Sequence, residues 1–196
     1  MDDTASFASI LAGRGFVVLR RAVPSAWLRE LDDLPPTSTR ELLGRTAVRT
    51  WIARIREQPA LAPWLGSDVV PWQGLLFTKT PQTNWLVPRH QDVVVPVPGG
   101  PRTAMEVPVL ERLLVVRVHL DPAGPDHGPL KVVPGSHRHG RRRGRALDEG
   151  RLVPVFAEPG DVLLMRPLLV HASEKARRPN GRRVVHVLFG PPNPEA

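Results

Sequence analysis

The segment 89–97 carries the residue types of a metal site at a suitable spacing. His90 and Asp92 are separated by a single residue. If the segment is a β-strand, both side chains point to the same face, because alternate residues of a strand share a face. One imidazole and one carboxylate then approach a common point, and a distant histidine would complete a set of two histidines and one carboxylate. Such a set, with coordination positions left open, is typical of non-haem Fe(II) oxygenases.

A second motif of the same form, His119-Leu120-Asp121, competes with the first. The two ligand strands of a rolled sheet are neighbours in space but are separated by several strands in sequence. About four candidate strands fit between Asp92 and His171, whereas about three fit between Asp121 and His171. Asp121 also runs directly into a turn rich in Pro and Gly. These differences favour His90 and Asp92 over His119 and Asp121.

The distal histidine is less well defined by residue type. His171 lies in the apolar stretch 160–173, where a histidine is more often a packed core residue than a ligand. Sequence reasoning therefore leaves other candidates open, namely His127, His137, His139 and His186. Of these, His137 and His139 fall in the basic run 137–145, which we expect to be a solvated loop.

The candidate ligands fall in a region of short strands. Apolar, β-branched segments bounded by Pro and Gly turns predict strands at 74–79, 89–97, 113–120, 130–133, 152–156, 161–165 and 182–189. No helix-length periodic segment separates them, which argues against βαβ repetition and favours an antiparallel sandwich or jelly roll. The chain is expected to be one domain over 1–196, with a jelly-roll core at 69–190.

The N-terminal third, residues 1–68, is expected to form a preface of one strand and several helices. The sequence predicts a strand at 15–22 and helices at 25–31, 39–43 and 47–56, with Ser25 as a helix N-cap. The predicted fold class is therefore mainly β with N-terminal helices.

Composition limits the kinds of chemistry. The chain has no cysteine, which excludes disulfides, zinc–thiolate sites and cysteine nucleophiles. No apolar run has the length of a membrane span, and no secretory signal is recognisable, so a cytoplasmic location is expected. The net charge of +8 suggests acidic partners, but an arginine-rich composition of the kind that a GC-rich coding sequence produces is the preferred explanation.

Several stretches resemble the phytanoyl-CoA dioxygenase family of Fe(II)- and 2-oxoglutarate-dependent enzymes, especially bacterial members of unassigned substrate. The resemblance covers most of residues 69–190, whereas residues 1–68 match loosely. Several motifs in register are more specific than one His-x-Asp pattern. The resemblance implies a double-stranded β-helix, which is a cupin-like jelly roll and agrees with the strand prediction. The matching stretches are 76–81, 84–92, 117–121, 128–140, 160–173 and 182–189.

The resemblance also implies roles for individual residues. The iron ligands would be His90, Asp92 and His171. Arg182, eleven residues beyond His171, would pair with the far carboxylate of 2-oxoglutarate, since a planar guanidinium fork suits a carboxylate. Arg183 is the alternative, because the two neighbours face opposite ways on a strand.

Further positions match the lining of the family's pocket. Ser173 would support the same carboxylate, and Arg117 and Leu75 would line the co-substrate pocket. Four more residues are candidates for the substrate pocket, with plain packing as the alternative for each: Lys79, Trp72, Trp85 and His119. Two departures from the family, Arg89 at a position where tryptophan is common and a short segment 96–111, fall on the expected substrate side.

The implied function is that of an oxidoreductase, a dioxygenase that uses Fe(II), O2 and 2-oxoglutarate. A small-molecule metabolite would be hydroxylated, with succinate and CO2 as the other products. Asp92 favours hydroxylation, because related halogenases carry a small residue there. Two alternatives stay open: a dioxygenase acting on nucleobases or nucleic acid, and a cupin-like metal-binding protein without oxygenase activity. The expected protein is a monomer or homodimer that binds no membrane and no nucleic acid.

Overall fold

A computed structural model describes residues 3–35, 37–98 and 100–193. Four α-helices and eleven strands are assigned within these residues, with short 3-10 turns between some of them. No helix in the described part of the chain is long and apolar enough to cross a membrane. The helices are α1 (Asp3–Arg14), α2 (Ser25–Arg29), α3 (Thr46–Arg56) and α4 (Val107–Arg112). The strands are β1 (Phe16–Leu19), β2 (Val70–Lys79), β3 (Val87–His90), β4 (Val94–Pro96), β5 (Arg102–Ala104), β6 (Leu114–His119), β7 (Leu130–Val132), β8 (Val153–Val155), β9 (Val162–Met165), β10 (His171–Ser173) and β11 (Arg182–Gly190).

The strands form two principal antiparallel sheets. The larger has the order β1-β9-β6-β11-β2, and the smaller has the order β3-β10-β7-β8. The chain passes from β8 in the smaller sheet to β9 in the larger one, then to β10 in the smaller sheet and back to β11 in the larger one, so these last strands alternate between layers. This is the predicted double-stranded β-helix. The short hairpin β4-β5 lies apart from both sheets.

The larger sheet is buried on both faces, and the strand period of two sorts its residues between them. On β6, Leu114, Val116 and Val118 pack in a core shared with the N-terminal helices. Val115 belongs to the second core, which is formed with the smaller sheet. Arg117 has the same strand parity as Val115, so it points into the roll. The face of the larger sheet that points into the roll can therefore carry polar groups, while its opposite face is apolar and packs against the N-terminal helices.

The N-terminal segment is part of this frame. Strand β1 pairs with β9, from Phe16 opposite Met165 to Leu19 opposite Val162. Helix α3 buries Trp51, whose indole N–H donates to the carbonyl of Trp27 on α2 at 2.8 Å. Residues 1–68, expected as a preface, thus contribute an edge strand and a helical cover to the larger sheet.

The predicted strand 89–97 is wrong as one continuous element. It is interrupted at residues 91–93, which separate β3 from β4. The backbone N–H of Asp92 donates to the carbonyl of Pro167 at 2.9 Å instead of to a neighbouring strand. Asp92 therefore approaches His90 from a loop, and the argument from a shared strand face does not describe how the two meet.

The N-terminal helix predictions are correct at 25–31 and 47–56 apart from their ends, and wrong at 39–43. Thr39 makes an isolated β-bridge with Leu76, and only Leu42–Gly44 forms a 3-10 turn. The bridge satisfies backbone groups that a helix would have used, because the N–H groups of Thr39 and Leu76 each donate to the other's carbonyl. Elements that the sequence did not predict include α1, α4, β5 and β10.

A buried carboxylate closes the turn after β1. Asp161, at the start of β9, accepts hydrogen bonds from the backbone N–H groups of Arg21 and Glu158 at 2.9 Å and from the guanidinium of Arg20 at 2.6 Å. Arg21 has a φ of 50°, a conformation that is uncommon for a residue other than glycine. Burial raises the pKa of Asp161, but these hydrogen bonds outweigh it, so the net pKa lies below the ordinary value.

Asp161→Asn is expected to lower the free energy of unfolding by about 2–3 kcal/mol at neutral pH, because an amide cannot accept all three hydrogen bonds. Since the carboxylate's pKa is depressed in the folded protein, its contribution is present above the unfolded pKa and is lost as the pH falls through the folded pKa. The difference in the free energy of unfolding between the variant and the wild type should therefore become smaller at acidic pH. Urea denaturation at several pH values measures it. The matched control Asp148→Asn, at an exposed position, should change stability by less than about 0.5 kcal/mol.

Candidate metal centre

Three side chains converge at one end of the smaller sheet. His90 on β3 lies directly opposite His171 on β10 in the strand register. His90 Nε2 is 3.7 Å from Asp92 Oδ1, and His171 Nε2 is 3.7 Å from Asp92 Oδ2. One ligand atom from each residue lies within 4.8 Å of the other two. His90, Asp92 and His171 thus form a metal-binding triad of two imidazoles and one carboxylate.

The backbone orients both imidazoles toward a common point. His90 Nδ1 donates to the carbonyl of Pro88 at 2.8 Å, and His171 Nδ1 donates to the carbonyl of Leu169 at 2.9 Å. Because a carbonyl only accepts, each Nδ1 carries a proton, and in the neutral imidazole the Nε2 then keeps a free lone pair. A hydrogen bond at the outer nitrogen is the usual support of a metal-bound histidine.

The charge state of the triad also suits a cation. Burial lowers the pKa of His171 to about 4, although the Asp92 carboxylate acts in the opposite direction. Burial raises the pKa of Asp92, but the surrounding side chains of His171, His186, His90 and Arg117 outweigh it and keep the net pKa below its ordinary value. The centre therefore presents neutral imidazole and ionised carboxylate, and Asp92 Oδ2 is buried without a hydrogen bond among the described residues. An orphaned carboxylate oxygen of this kind fits a metal ion.

Gln91 fixes the loop that carries Asp92. Its amide N–H groups donate to the carbonyls of Leu168 at 2.6 Å and Gly140 at 2.9 Å, and its oxygen accepts from the backbone N–H of Arg142 at 2.7 Å. Leu168 and Pro167, which bonds to Asp92, both precede His171 in the chain. The segment that brings in the distal histidine thus also holds the carboxylate in place.

A narrow cavity of about 50 Å³ lies beside the two histidines and is lined by cations. Lys79, Arg117 and Arg182 are buried around it, with exposed fractions of 2%, 5% and 4%. Burial, reinforced by the neighbouring cations, lowers the pKa of Lys79 to about 8 and that of Arg182 to about 10. Ser173 also faces this cavity. The arrangement favours an anion.

The two adjacent arginines of β11 have opposite surroundings. Arg182 lines the cavity and donates from Nη1 to the carbonyl of Gly128 at 2.9 Å, while its Nε is buried without a partner in the described chain. Arg183 faces outward and pairs with Asp121 at 2.9 Å and with Asp32 at 3.3 Å. Arg183 is thus occupied by carboxylates of the protein, whereas Arg182 retains unused donors.

Arg117 and His186 form a buried pair beneath the triad. Arg117 Nη1 donates to His186 Nδ1 at 3.0 Å, and burial lowers the pKa of His186 to about 3 and that of Arg117 to about 10. His186, one of the alternative candidates for the distal ligand, is not part of the triad, and the strand alternation of β11 explains why it nevertheless points into the roll. Arg182, Val184 and His186 alternate along one strand, so an inward Arg182 places His186 inward as well.

A second cavity, of about 300 Å³, opens from the triad to the surface. His90 and Asp92 line its inner end, and Leu75, predicted to line the co-substrate pocket, lies in its wall. It meets the narrow cavity at His90 and Phe77, which line both. We refer to it as the outer cavity. Residues that sequence reasoning did not predict here include Arg40, Gln73, Phe77, Val93, Val95, Arg102 and Leu188.

The four predicted substrate-pocket residues are divided by the structure. Lys79 and Trp85 line the narrow cavity. Trp72 lies outside both cavities in a surface groove, where its indole N–H donates to the carbonyl of Pro191 at 2.9 Å. His119 is buried and lines neither cavity, and its ring nitrogens have no hydrogen bond among the described residues. The rival motif His119-Leu120-Asp121 therefore builds no metal site, since Asp121 pairs with Arg183.

The fold and the triad together define a class, the cupin-like proteins with a two-histidine, one-carboxylate centre. Within that class, the model of the phytanoyl-CoA dioxygenase family matches residues 35–184. The match covers more than half of the chain, so the chain belongs to the phytanoyl-CoA dioxygenase family. Comparison with curated proteins gives no match.

Solved structures share this fold at low sequence identity. EvdMO1 aligns with a TM-score of 0.72 and 22% identity over 96% of this chain, which spans 50% of the EvdMO1 chain. SnoK, a carbocyclase from nogalamycin biosynthesis, aligns with a TM-score of 0.73 and 16% identity over 95% of this chain and 83% of its own. HygX from Streptomyces hygroscopicus, solved with nickel and 2-oxoglutarate, aligns with a TM-score of 0.71 and 19% identity over 95% of this chain and 86% of its own.

Asp92→Ala is expected to weaken binding of Co(II), used as a redox-stable substitute for iron, by at least about 100-fold. Removing a hydrogen-bond partner of a metal ligand typically weakens metal binding by roughly 10- to 100-fold, and removing the ligand itself should weaken it more. Isothermal titration in chloride-free buffer measures the affinity. Asp121→Asn, which alters the rival motif, is the matched control and should bind as tightly as wild type. Equal weakening in both variants would contradict the assignment of Asp92.

Proposed function

We propose that this chain is an Fe(II)- and 2-oxoglutarate-dependent dioxygenase that hydroxylates a small-molecule metabolite, and that residues 1–196 act as one oxygenase domain. The observation that carries the proposal is the triad His90–Asp92–His171 beside a buried cationic cavity. Membership of the phytanoyl-CoA dioxygenase family supports it, as do the 2-oxoglutarate in HygX and the ketoglutarate dependence stated for SnoK.

The metal assignment follows from the donor set. Two imidazoles and one carboxylate on one side leave the opposite positions free, which suits Fe(II) and an incoming co-substrate better than a structural zinc site. The chain has no cysteine to offer a soft ligand. His90 and His171 would bind through Nε2 and Asp92 through a carboxylate oxygen.

The co-substrate assignment follows from charge. 2-Oxoglutarate carries two carboxylates, and Lys79, Arg117 and Arg182 supply buried positive charge next to the triad. Arg182 would bind the far carboxylate, since its guanidinium has a free Nε and the Ser173 hydroxyl lines the same cavity. Arg117 would contribute a further positive charge to the same cavity. Ion pairing with a bound diacid offsets the desolvation of these cations.

With iron and dioxygen bound, the centre would couple decarboxylation of 2-oxoglutarate to oxidation of the substrate. The balanced reaction is R–H + 2-oxoglutarate + O2 → R–OH + succinate + CO2. The protein contributes position and exclusion of water. Phe77, shared by both cavities, and the apolar wall formed by Leu75 and Leu188 keep the reacting region dry.

Hydroxylation is the proposed outcome because Asp92 fills the coordination position that halogenases leave open for a halide. SnoK is described as a carbocyclase, so the fold supports other oxidative outcomes, and the product mass is the discriminating measurement. Anaerobic loading with Fe(II) and 2-oxoglutarate, followed by aerobic incubation with a metabolite extract, should yield a species that gains one oxygen atom. A product that loses two hydrogens instead would show a ring closure or desaturation and would overturn hydroxylation.

His90→Ala should abolish succinate formation from 2-oxoglutarate while the far-UV circular dichroism spectrum stays unchanged, because His90 lies at the end of β3 and is partly exposed. Succinate is measured by mass spectrometry. The control His139→Ala, at an exposed position outside the triad, should retain wild-type turnover. Retained turnover in His90→Ala would refute the ligand assignment, and no succinate from the wild type with any substrate would favour a cupin-like binding protein.

Arg182→Ala should raise the KM for 2-oxoglutarate at least about tenfold, since a charge-assisted hydrogen bond to a carboxylate contributes more binding free energy than a neutral hydrogen bond. Initial rates at varied 2-oxoglutarate concentration measure the change. Arg183→Ala is the matched comparison, and its KM should stay near that of wild type because Arg183 pairs with Asp121 and Asp32. The reverse pattern would transfer the assignment to Arg183.

A further inference from the structure

Two arginines lie in the wall of the outer cavity at a distance from the cationic cluster around Arg182. Arg40 follows the bridge between Thr39 and Leu76, and Arg102 begins β5 of the small hairpin. Both line the outer cavity together with the triad residues His90 and Asp92. They come from separate segments of the chain and line the same cavity only in the folded protein.

The charges of the outer cavity are unbalanced. Its lining contains two guanidinium groups but a single carboxylate, that of Asp92, which belongs to the metal triad. The guanidinium of Arg40 forms no hydrogen bond or ion pair within the described residues. Arg102 donates from Nη2 to the carbonyl of Val94, which holds its side chain across the β4-β5 hairpin and leaves other N–H groups unused. Positive charge without a protein partner favours an anionic ligand.

The two arginines also stand where the outer cavity continues into a surface groove. This groove, of about 670 Å³, shares Arg40, Gln73 and Arg102 with the cavity. Beyond them it is bounded by Trp72, Leu43 and Pro96, with Glu41 as an acidic residue on its wall. The two guanidinium groups and Gln73 therefore lie at the junction between the outer cavity and this groove.

The inner half of the cavity has a different character. Leu75, Phe77, Val93, Val95 and Leu188 form an apolar lining between the triad and the arginines. Gln91 also lines this part, but its amide is committed to Gly140, Leu168 and Arg142. The site therefore presents an apolar chamber next to the reactive centre and a cationic pair at its outer end.

We propose that the substrate of this chain is an amphipathic anion, with a carboxylate or phosphate held by Arg40 and Arg102 and an apolar portion that reaches the triad. The inference rests on the proposed oxygenase function for the identity of the cavity as the substrate site. Gln73, which lines both the cavity and the groove together with the two arginines, would donate a further hydrogen bond to the anion. Any portion of the substrate beyond the anionic group would lie in the groove along Trp72.

The test compares three probes of the same chain length: octanoate, octyl phosphate and the neutral octanamide. Binding to the protein loaded anaerobically with Fe(II) and saturating 2-oxoglutarate is measured by isothermal titration, so that the cations around Arg182 are already occupied. Formation of the loaded complex is checked first by its visible charge-transfer absorption. If this absorption does not appear, the result counts against the proposed oxygenase function. The inference about the substrate is decided separately, by the affinities of the three probes.

The wild type should bind at least one of the two anionic probes at least tenfold more tightly than octanamide, and whichever anion binds better identifies the carboxylate or phosphate class. Arg40→Gln and Arg102→Gln should each reduce that preference at least fivefold without changing octanamide binding. Arg112→Gln removes the same charge at an exposed position outside the cavity and should leave the preference intact. Equal binding of octanamide and both anions, absence of binding by both anions, or equal effects of all three substitutions would overturn the proposal.

Discussion

The pairing of β3 with β10 is the constraint on which the candidate site depends. Because His90 lies opposite His171 in this register, the ring centroids approach to 4.1 Å and both Nε2 atoms face the same space. The carbonyls of Pro88 and Leu169 fix the two tautomers, and the Asp92 loop is fastened to the segment that precedes His171. A slip of one residue would turn one imidazole to the opposite face and leave no triad.

The site concentrates positive charge where the fold excludes water. Arg117 and Arg182 are both buried inside the roll, and the depressed pKa of each reflects the unfavourable burial of its charge. The apolar outer face of the larger sheet, packed against α1, α2 and α3, stabilises the frame that tolerates this burial. An anionic co-substrate would relieve the same penalty. The cost of burying these two charges in the free protein and the affinity for an anion therefore depend on the same side chains. An anion that binds the folded protein would also stabilise it.

The sequence predicts the local parts of this arrangement better than the distant ones. The strand alternation of β11 correctly separates Arg182 from Arg183, and the number of strands before His171 correctly favours His90 and Asp92 over His119 and Asp121. His90 and Asp92 nevertheless meet in a different way from the one expected, since Asp92 sits in a loop held by Pro167. Arg40 and Arg102 were not predicted to line one cavity, because their placement depends on a β-bridge and a short hairpin that carry no periodic signal. Thr39 likewise lies in a segment whose helical pattern loses to pairing with Leu76.

The central claim is that one triad holds the metal while Arg182 holds the diacid. A crystal structure of the protein with nickel(II) and 2-oxoglutarate, with the metal located by anomalous scattering, tests it most directly. The account predicts nickel bound to His90 Nε2, His171 Nε2 and an Asp92 oxygen, with the far carboxylate of 2-oxoglutarate on Arg182. Nickel at any other set of side chains, or the diacid bound away from Arg182, would contradict it.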